Sequence, residues 1–289
     1  MTAKVMLITG ATSGIGAAVA REAAHHGYRL AITGRRADRL DALAADLPGV
    51  EALALPGDLA DPSTPARLID GVIARYGRLD VLVNNAGFGL PRLFGQTDPA
   101  RLREQVEVNF TAPIVLARLA LPHLIAGKGT IINVGSSITS VANPIFGAYG
   151  ATKAGLAWWN DALRREIKHL GVKVCLVEPG PVATEFFDAV NRRADVPRPL
   201  GTGPPPDRIY NALRDRPPAL FTARVDDVAR RIVRLVDHPR RRLSVLRRMV
   251  WPFRLVGGLF QVWPWLGDLG LSAMVRRIER EEAAAGGAP

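Results

Sequence analysis

Short apolar runs alternate with longer segments of helical period along much of the chain. Residues 5–8, 30–32, 53–55, 81–83, 131–132 and, apart from Lys173, 172–177 are continuously apolar rather than alternating. Continuity of this kind fits strands covered on both faces. Between them, residues 17–26 end at Gly27, residues 38–47 end at Pro48-Gly49, and residues 63–76, opened by Asp61-Pro62, end at Gly77. A glycine just past a periodic stretch is a helix stop signal. A further helical stretch covers 101–121. The alternation predicts an α/β fold built of parallel βαβ units in one doubly wound sheet, with helices on both faces. No internal repeat is visible.

The pattern changes at 191–220, where Pro197, Pro199, Pro204, Pro205, Pro206, Pro217 and Pro218 exclude a regular strand or a long helix. This stretch reads as a linker or as a lid over a site. Residues 225–236 resume a helical period and stop at His238-Pro239. Residues 243–246 read as a last strand.

Composition narrows the class. With 48% hydrophobic and 22% charged residues among 289, the chain is an ordinary globular one, not a disordered or collagen-like one. A single cysteine, Cys175, excludes an intramolecular disulfide and a cysteine-rich metal site. The five histidines show no metal-ligand spacing, so no metal is expected. The start, Met1-Thr2-Ala3-Lys4, lacks a signal-peptide layout, and a cytoplasmic location is expected. The net charge is +11, and the last 69 residues supply +6 of it. Such an excess suits a nucleic acid, an anionic lipid or a phosphate-bearing ligand, or simply solubility.

Candidate chemistry falls at the carboxyl ends of the predicted strands, where open α/β sheets bind ligands. The first ends in Thr9-Gly10-Ala11-Thr12-Ser13-Gly14-Ile15-Gly16. Glycines there let the backbone turn sharply and approach a pyrophosphate at a helix N-terminus. The second ends in Thr33-Gly34-Arg35-Arg36. It lacks the acidic residue that would accept from a ribose 2′-hydroxyl, and its two cations suit a 2′-phosphate instead. Asp58-Leu59 follows the third strand, where Asp58 serves equally well as a helix cap. Asn84-Asn85-Ala86-Gly87 follows the fourth.

Tyr149-Gly150-Ala151-Thr152-Lys153 places a phenol and an ammonium on one helix face. An adjacent cation favours the phenolate and is expected to lower the tyrosine pKa from its reference of about 10, tuning it as a general acid–base. On its own this spacing is no more than a surface pair. Upstream, Asn133-Val134-Gly135-Ser136-Ser137 ends the fifth strand, and Ser136 can donate to a carbonyl oxygen beside Tyr149. Asn109 sits inside the 101–121 helical stretch, where asparagine is a poor fit and asks for a polar role or a kink.

Taken together, these segments resemble the short-chain dehydrogenase/reductase family in its compact branch, over about residues 3–190. Its T-G-x-x-x-G-x-G pattern is matched by Thr9 to Gly16, its N-N-A-G by Asn84 to Gly87, and its Y-x-x-x-K by Tyr149 to Lys153. Ser136 lies 13 residues before Tyr149, the family's spacing for its catalytic serine, which makes Ser137 the decoy. Asn109 matches the family's helix asparagine, and Pro179-Gly180-Pro181-Val182-Ala183-Thr184 its P-G-x-V-x-T segment.

The resemblance implies a Rossmann-type domain over 1–240, with a seven-stranded sheet and 191–220 as a substrate lid. Residues 241–289 would then hold the last strand and a C-terminal helical extension. It implies an NADP(H)-dependent oxidoreductase interconverting a carbonyl and an alcohol, with Ser136, Tyr149, Lys153 and Asn109 as the catalytic set. Lys153 would bind the nicotinamide ribose, and Asn109 would hold a water. Gly10, Thr12, Ser13, Gly14, Ile15 and Gly16 would cradle the pyrophosphate. Arg35 would be the main 2′-phosphate ligand, assisted by Arg36, with Asp58 and Leu59 framing the adenine. Asn85, Ala86 and Gly87 would line the cofactor, and Pro179, Gly180, Val182 and Thr184 would meet the nicotinamide. The intact set of four favours an enzyme over a nucleotide-binding regulator. A homodimer or homotetramer is implied, with Trp158 or Trp159 at the contact.

Phe88, Leu90, Ile138, Pro144, Phe146, Phe186, Phe187 and Tyr210 are candidate pocket residues and favour a small hydrophobic substrate. The arginines of 240–254 flank a stretch with Trp251, Trp263 and Trp265. Its uncharged run, 255–267, is too short for a bilayer core, which needs about 20 residues. Peripheral membrane contact through 240–277 is conceivable from this pattern, but packing on the protein or on a second subunit is favoured. Nucleic acid is not expected, since no binding motif accompanies the charge.

Overall fold

The computed structural model describes residues 3–90, 95, 97–140, 142, 146–182, 184–185, 222–245 and 255. The expected lid at 191–220, the pocket candidates Pro144, Phe186, Phe187 and Tyr210, and the expected extension, apart from its first residues and Leu255, lie outside them.

The chain alternates as the pattern predicts. β1 (Val5–Thr9), α1 (Gly14–His25), β2 (Arg29–Gly34), α2 (Ala37–Asp46), β3 (Ala52–Pro56), α3 (Thr64–Tyr76) and β4 (Val81–Asn84) come first. α4 (Pro99–Val106), a π-helical turn at Glu107–Thr111 and α5 (Ala112–Ala126) follow as one continuous helix. β5 (Thr130–Val134), α6 (Gly147–Ile167), β6 (Lys173–Glu178), α7 (Val225–Asp237) and β7 (Arg242–Ser244) complete the described elements. All seven strands are parallel, in the order β3-β2-β1-β4-β5-β6-β7.

The apolar runs are continuous because both strand faces are covered. Met6 and Ile8 of β1 join α1, α2 and α7 in one core. Val5 and Leu7 join α3, α5 and the end of α6 in the other. β4 and β5 divide in the same way, with Val83 and Ile132 on the first side and Leu82 and Ile131 on the second. The stretch Pro99–Ala126 is long and apolar enough to cross a membrane by length and composition. In this fold its Leu116, Ala120 and Leu124 pack into the second core.

β7 starts one residue earlier than the 243–246 run suggests, pairing Arg242 with Leu176. Hydropathy hides that start because Arg242 is charged. Its guanidinium meets buried Glu178 at 3.2 Å and Asp161 at 3.4 Å.

The chain winds outward from β1 to β3, then crosses back to β4. The switch point thus lies between β1 and β4, and the crevice above it is where doubly wound sheets take ligands.

Candidate active site

The turn from β1 into α1 is built for close backbone approach. Gly10 has φ +67, and a Cβ at Gly16 would lie 2.6 Å from Asn85 Nδ2 and collide with the Gly10 carbonyl oxygen. Asn85 Nδ2 donates to the carbonyls of Thr9 at 2.8 Å and Gly10 at 3.3 Å. Thr9 Oγ1 accepts from the amides of Asn85 and Ala86, both at 3.0 Å. These bonds lock the β1 and β4 ends together. Ser13 caps α1 with extended backbone and makes no side-chain cap bond. The first turn of α1, from Gly14 through Ile15 to Gly16, therefore presents backbone N–H groups toward the crevice, as an anion site requires.

The two arginines after β2 diverge. Arg36 turns back over the glycine turn, donating to Thr12 Oγ1 at 2.8 Å and Ser13 Oγ at 3.2 Å. Arg35 turns the other way, with Nη1 3.8 Å from Asp58 Oδ2 and 3.5 Å from Glu104 Oε1. Asp58 does not cap α3. Its Oδ1 accepts from the Ala60 amide at 3.0 Å, while the N-cap position of α3 is Ser63, which makes no side-chain cap bond. Leu59 is buried in the second core.

The residues with acid–base chemistry converge at the ends of β4 and β5. Lys153 and Tyr149 share the buried face of α6, 3% and 8% exposed. The Ser136 hydroxyl lies beside that of Tyr149, close enough to favour the phenolate. Ser136 Oγ also accepts from the Ile138 amide at 3.2 Å. Ser137 instead donates its amide to the Pro179 carbonyl at 3.0 Å, so its backbone ties the β5 end to the loop after β6. Lys153 Nζ donates to the Val134 carbonyl at 2.9 Å. A Cβ on Gly87 would sit 3.1 Å from Asn109 Oδ1 and 3.2 Å from Lys153 Nζ. Asn109, Gly87 and Lys153 thus meet at one point.

Asn109 marks an irregular turn of its helix and plays a polar role. It sits in the π-helical turn and is fully buried. Its Oδ1 accepts from the Phe88 amide at 2.9 Å, and its Nδ2 donates to the Phe88 carbonyl at 2.8 Å and to Thr152 Oγ1 at 3.2 Å. Both polar atoms of the side chain are thus engaged with protein groups.

The expected acidification of Tyr149 is not found. Burial pushes its pKa up to about 12, partly offset by the Ser136 hydroxyl. Burial likewise pushes the Lys153 ammonium down to about 8. Desolvation penalises both charged forms. Sharing a helix face does not by itself make the phenol acidic when both groups are withdrawn from water.

After β6, the Pro179 carbonyl is taken by Ser137, and Gly180 leads to Val182, which bridges to Ala223. Thr184 closes on the glycine turn, its Cγ2 3.3 Å from where a Gly14 Cβ would lie. Of the described pocket candidates, Phe146 stands edge-on to Tyr149 with ring centres 6.3 Å apart. Phe88 and Leu90 belong to the second core instead of forming an open wall. Ile138 follows Ser136 in a short 3₁₀ turn and is half-buried.

Several residues here escape sequence reading. Thr9 and Thr152 are ordinary threonines until their partners are known. Glu104 shows no signal at all, because its contact with Arg35 exists only once α4 is packed. Asn84, Asn133 and Asn160 form a buried ladder, with Asn84 Nδ2 donating to Asn133 Oδ1 and Asn133 Nδ2 to Asn160 Oδ1, both at 2.9 Å.

The glycine cradle, the open helix N-terminus and Arg36 lying over them fit a nicotinamide dinucleotide. Comparison with known proteins decides the family. The pattern of the short chain dehydrogenase family matches residues 4–195. The chain belongs to this family. It is 36% identical over 201 residues to the uncharacterized oxidoreductase YbbO of Escherichia coli K12, covering 66% of this chain and 72% of that protein. A short-chain dehydrogenase from Streptomyces avermitilis superposes with a TM-score of 0.75 at 30% identity, over 94% of this chain and 98% of that one. A short-chain dehydrogenase from Sphingobium yanoikuyae in complex with NADPH superposes with a TM-score of 0.71 at 27% identity, over 90% and 94% of the two chains. This short-chain dehydrogenase is therefore an oxidoreductase that works with a nicotinamide cofactor, on a single parallel Rossmann-type sheet.

Proposed function

We propose that the protein uses NADPH to interconvert a carbonyl and an alcohol on a small apolar substrate. The observation that carries this is the meeting of Ser136, Tyr149 and buried Lys153, with Lys153 Nζ on the Val134 carbonyl, at the carboxyl ends of the central strands. When bound, the cofactor supplies or accepts the hydride. Ser136 donates to the substrate oxygen and orients it. Tyr149, a neutral phenol at physiological pH, gives that oxygen its proton in reduction and takes it back in oxidation. Lys153 stands one helical turn away, in contact with the Gly87–Asn109 corner, and is placed to bind the nicotinamide ribose. Asn109 holds that corner by clamping the Phe88 backbone.

Gly10, Thr12, Ser13, Gly14, Ile15 and Gly16 would hold the pyrophosphate, with Asn85, Ala86 and Gly87 beside them. Pro179, Gly180, Val182 and Thr184 would face the nicotinamide, and Asp58 and Leu59 the adenine. The preference for the 2′-phosphate rests on Arg35 and Arg36. Arg36 supports it most directly, since its guanidinium already lies on the Thr12 and Ser13 hydroxyls. Phe146 beside Tyr149 and the neighbouring Ile138 support an apolar substrate. A homodimer or homotetramer fits Trp158, which is 82% exposed on α6.

NADPH oxidation against a panel of apolar ketones and aldehydes is the test. Turnover with NADPH and little with NADH supports the reading. Equal use of both cofactors would remove Arg35 and Arg36 from their role.

A further inference from the structure

A carboxylate sits on the arginines expected to hold the cofactor's phosphate. Glu185 directly follows Thr184 after β6. Its two oxygens accept from Arg39 Nη1 at 3.1 and 2.8 Å. One of them also lies 3.6 Å from Arg36 Nη1. The other end of the Arg36 guanidinium rests on Thr12 and Ser13. Thr184, packed on Gly14, holds Glu185 over the same turn. Hydrogen bonding from Arg39, then the charges of Arg39 and Arg36, keep the Glu185 carboxyl below the usual range. Arg39 was not among the expected phosphate ligands. It lies one helical turn after Arg36 and shares its anion.

We infer that Glu185 is a cofactor-discriminating residue that competes with the ribose 2′-phosphate for Arg36 and Arg39, with Arg39 as a further phosphate ligand. The inference rests on the NADPH reading above. Two cations and one anion meet at the start of α2. A phosphate dianion entering there must displace the carboxylate or lie beside it, and either costs binding. An unphosphorylated ribose brings no anion to that place and leaves the ion pair intact. Glu185 therefore tempers the preference for NADPH and leaves NADH binding alone. Arg39, Arg36 and Glu185 are each about 40% exposed (41%, 37% and 44%), so solvent screens the effect and it is moderate.

The test is titration of wild type, Glu185→Gln and Arg39→Gln with NADPH and with NADH, followed by nicotinamide fluorescence. The NADPH Kd is expected to fall roughly three- to tenfold in Glu185→Gln and to rise several-fold in Arg39→Gln, with the NADH Kd unchanged in both. Wild type binding both cofactors equally would overturn the NADPH reading and this inference with it. Wild type preferring NADPH, with Glu185→Gln leaving its Kd unchanged or raised, would overturn the competition alone. A shift of equal size for NADH would show a general loop effect and overturn it too.

Discussion

Burying a phenol and an ammonium on one helix face has a cost that the fold must carry. Lys153 is pushed from 10.5 to about 8. Its folded pKa is below its unfolded one, so protonation disfavours folding. The penalty is full below about pH 8 and fades as pH rises through the ordinary lysine value of 10.5. Its size is on the order of 2–3 kcal/mol, reduced by the bond to the Val134 carbonyl. Lys153→Met should therefore raise the melting temperature of the protein at pH 7 by several degrees while abolishing turnover. The gap should close between pH 8 and 10.5 in thermal melts across pH. An unchanged or lower melting temperature at pH 7 would contradict this. The residue identities of the acid–base cluster were legible, because Y-x-x-x-K and the serine before it are fixed by spacing. The ionisation was not, because it depends on how completely both groups are withdrawn from water.

Elements place these side chains through a few exchanges of backbone geometry. The helix of α4 and α5 carries a π-helical turn where Asn109 turns inward. Such turns cost helix regularity and recur at functional sites. Sequence gave the hint through an asparagine in a helical period, but not the partner, since Phe88 is 21 residues away on a loop. Replacing Asn109 by Ala removes the acceptor of the buried Phe88 amide. The loss should cost about 1–3 kcal/mol in urea unfolding. It should also loosen Gly87 against Lys153, lowering kcat. An Asn109→Ala variant with wild-type stability and activity would show that the clamp is dispensable. The element boundaries were mostly legible from glycine stops. β7 was blurred because its first residue is an arginine paired with buried Glu178.

On the scale of the molecule, two cores face opposite sides of one sheet, and the site lies where the winding reverses. That architecture was legible from continuous apolar strands alternating with helical stretches, the pattern of a doubly covered sheet. Leu119 and Ile125 on α5 and Trp158 on α6 are large apolar residues left outside both cores. Trp158 stands free at 82% exposure, whereas Trp159 packs partly on the second core. The choice between the two tryptophans needed the helix rotation, which the sequence period alone leaves open. If Trp158 anchors a contact between copies, Trp158→Glu should shift sedimentation toward the monomer while leaving the melting of each subunit's secondary structure near wild type at matched concentration. Unchanged sedimentation would place the contact elsewhere.

Tyr149→Phe removes one oxygen and keeps the ring packed beside Phe146. With the substrate found by NADPH oxidation, kcat should fall at least about 100-fold while the NADPH Kd stays within about threefold of wild type. A variant that keeps near-normal kcat would contradict the assignment of Tyr149 as the proton donor.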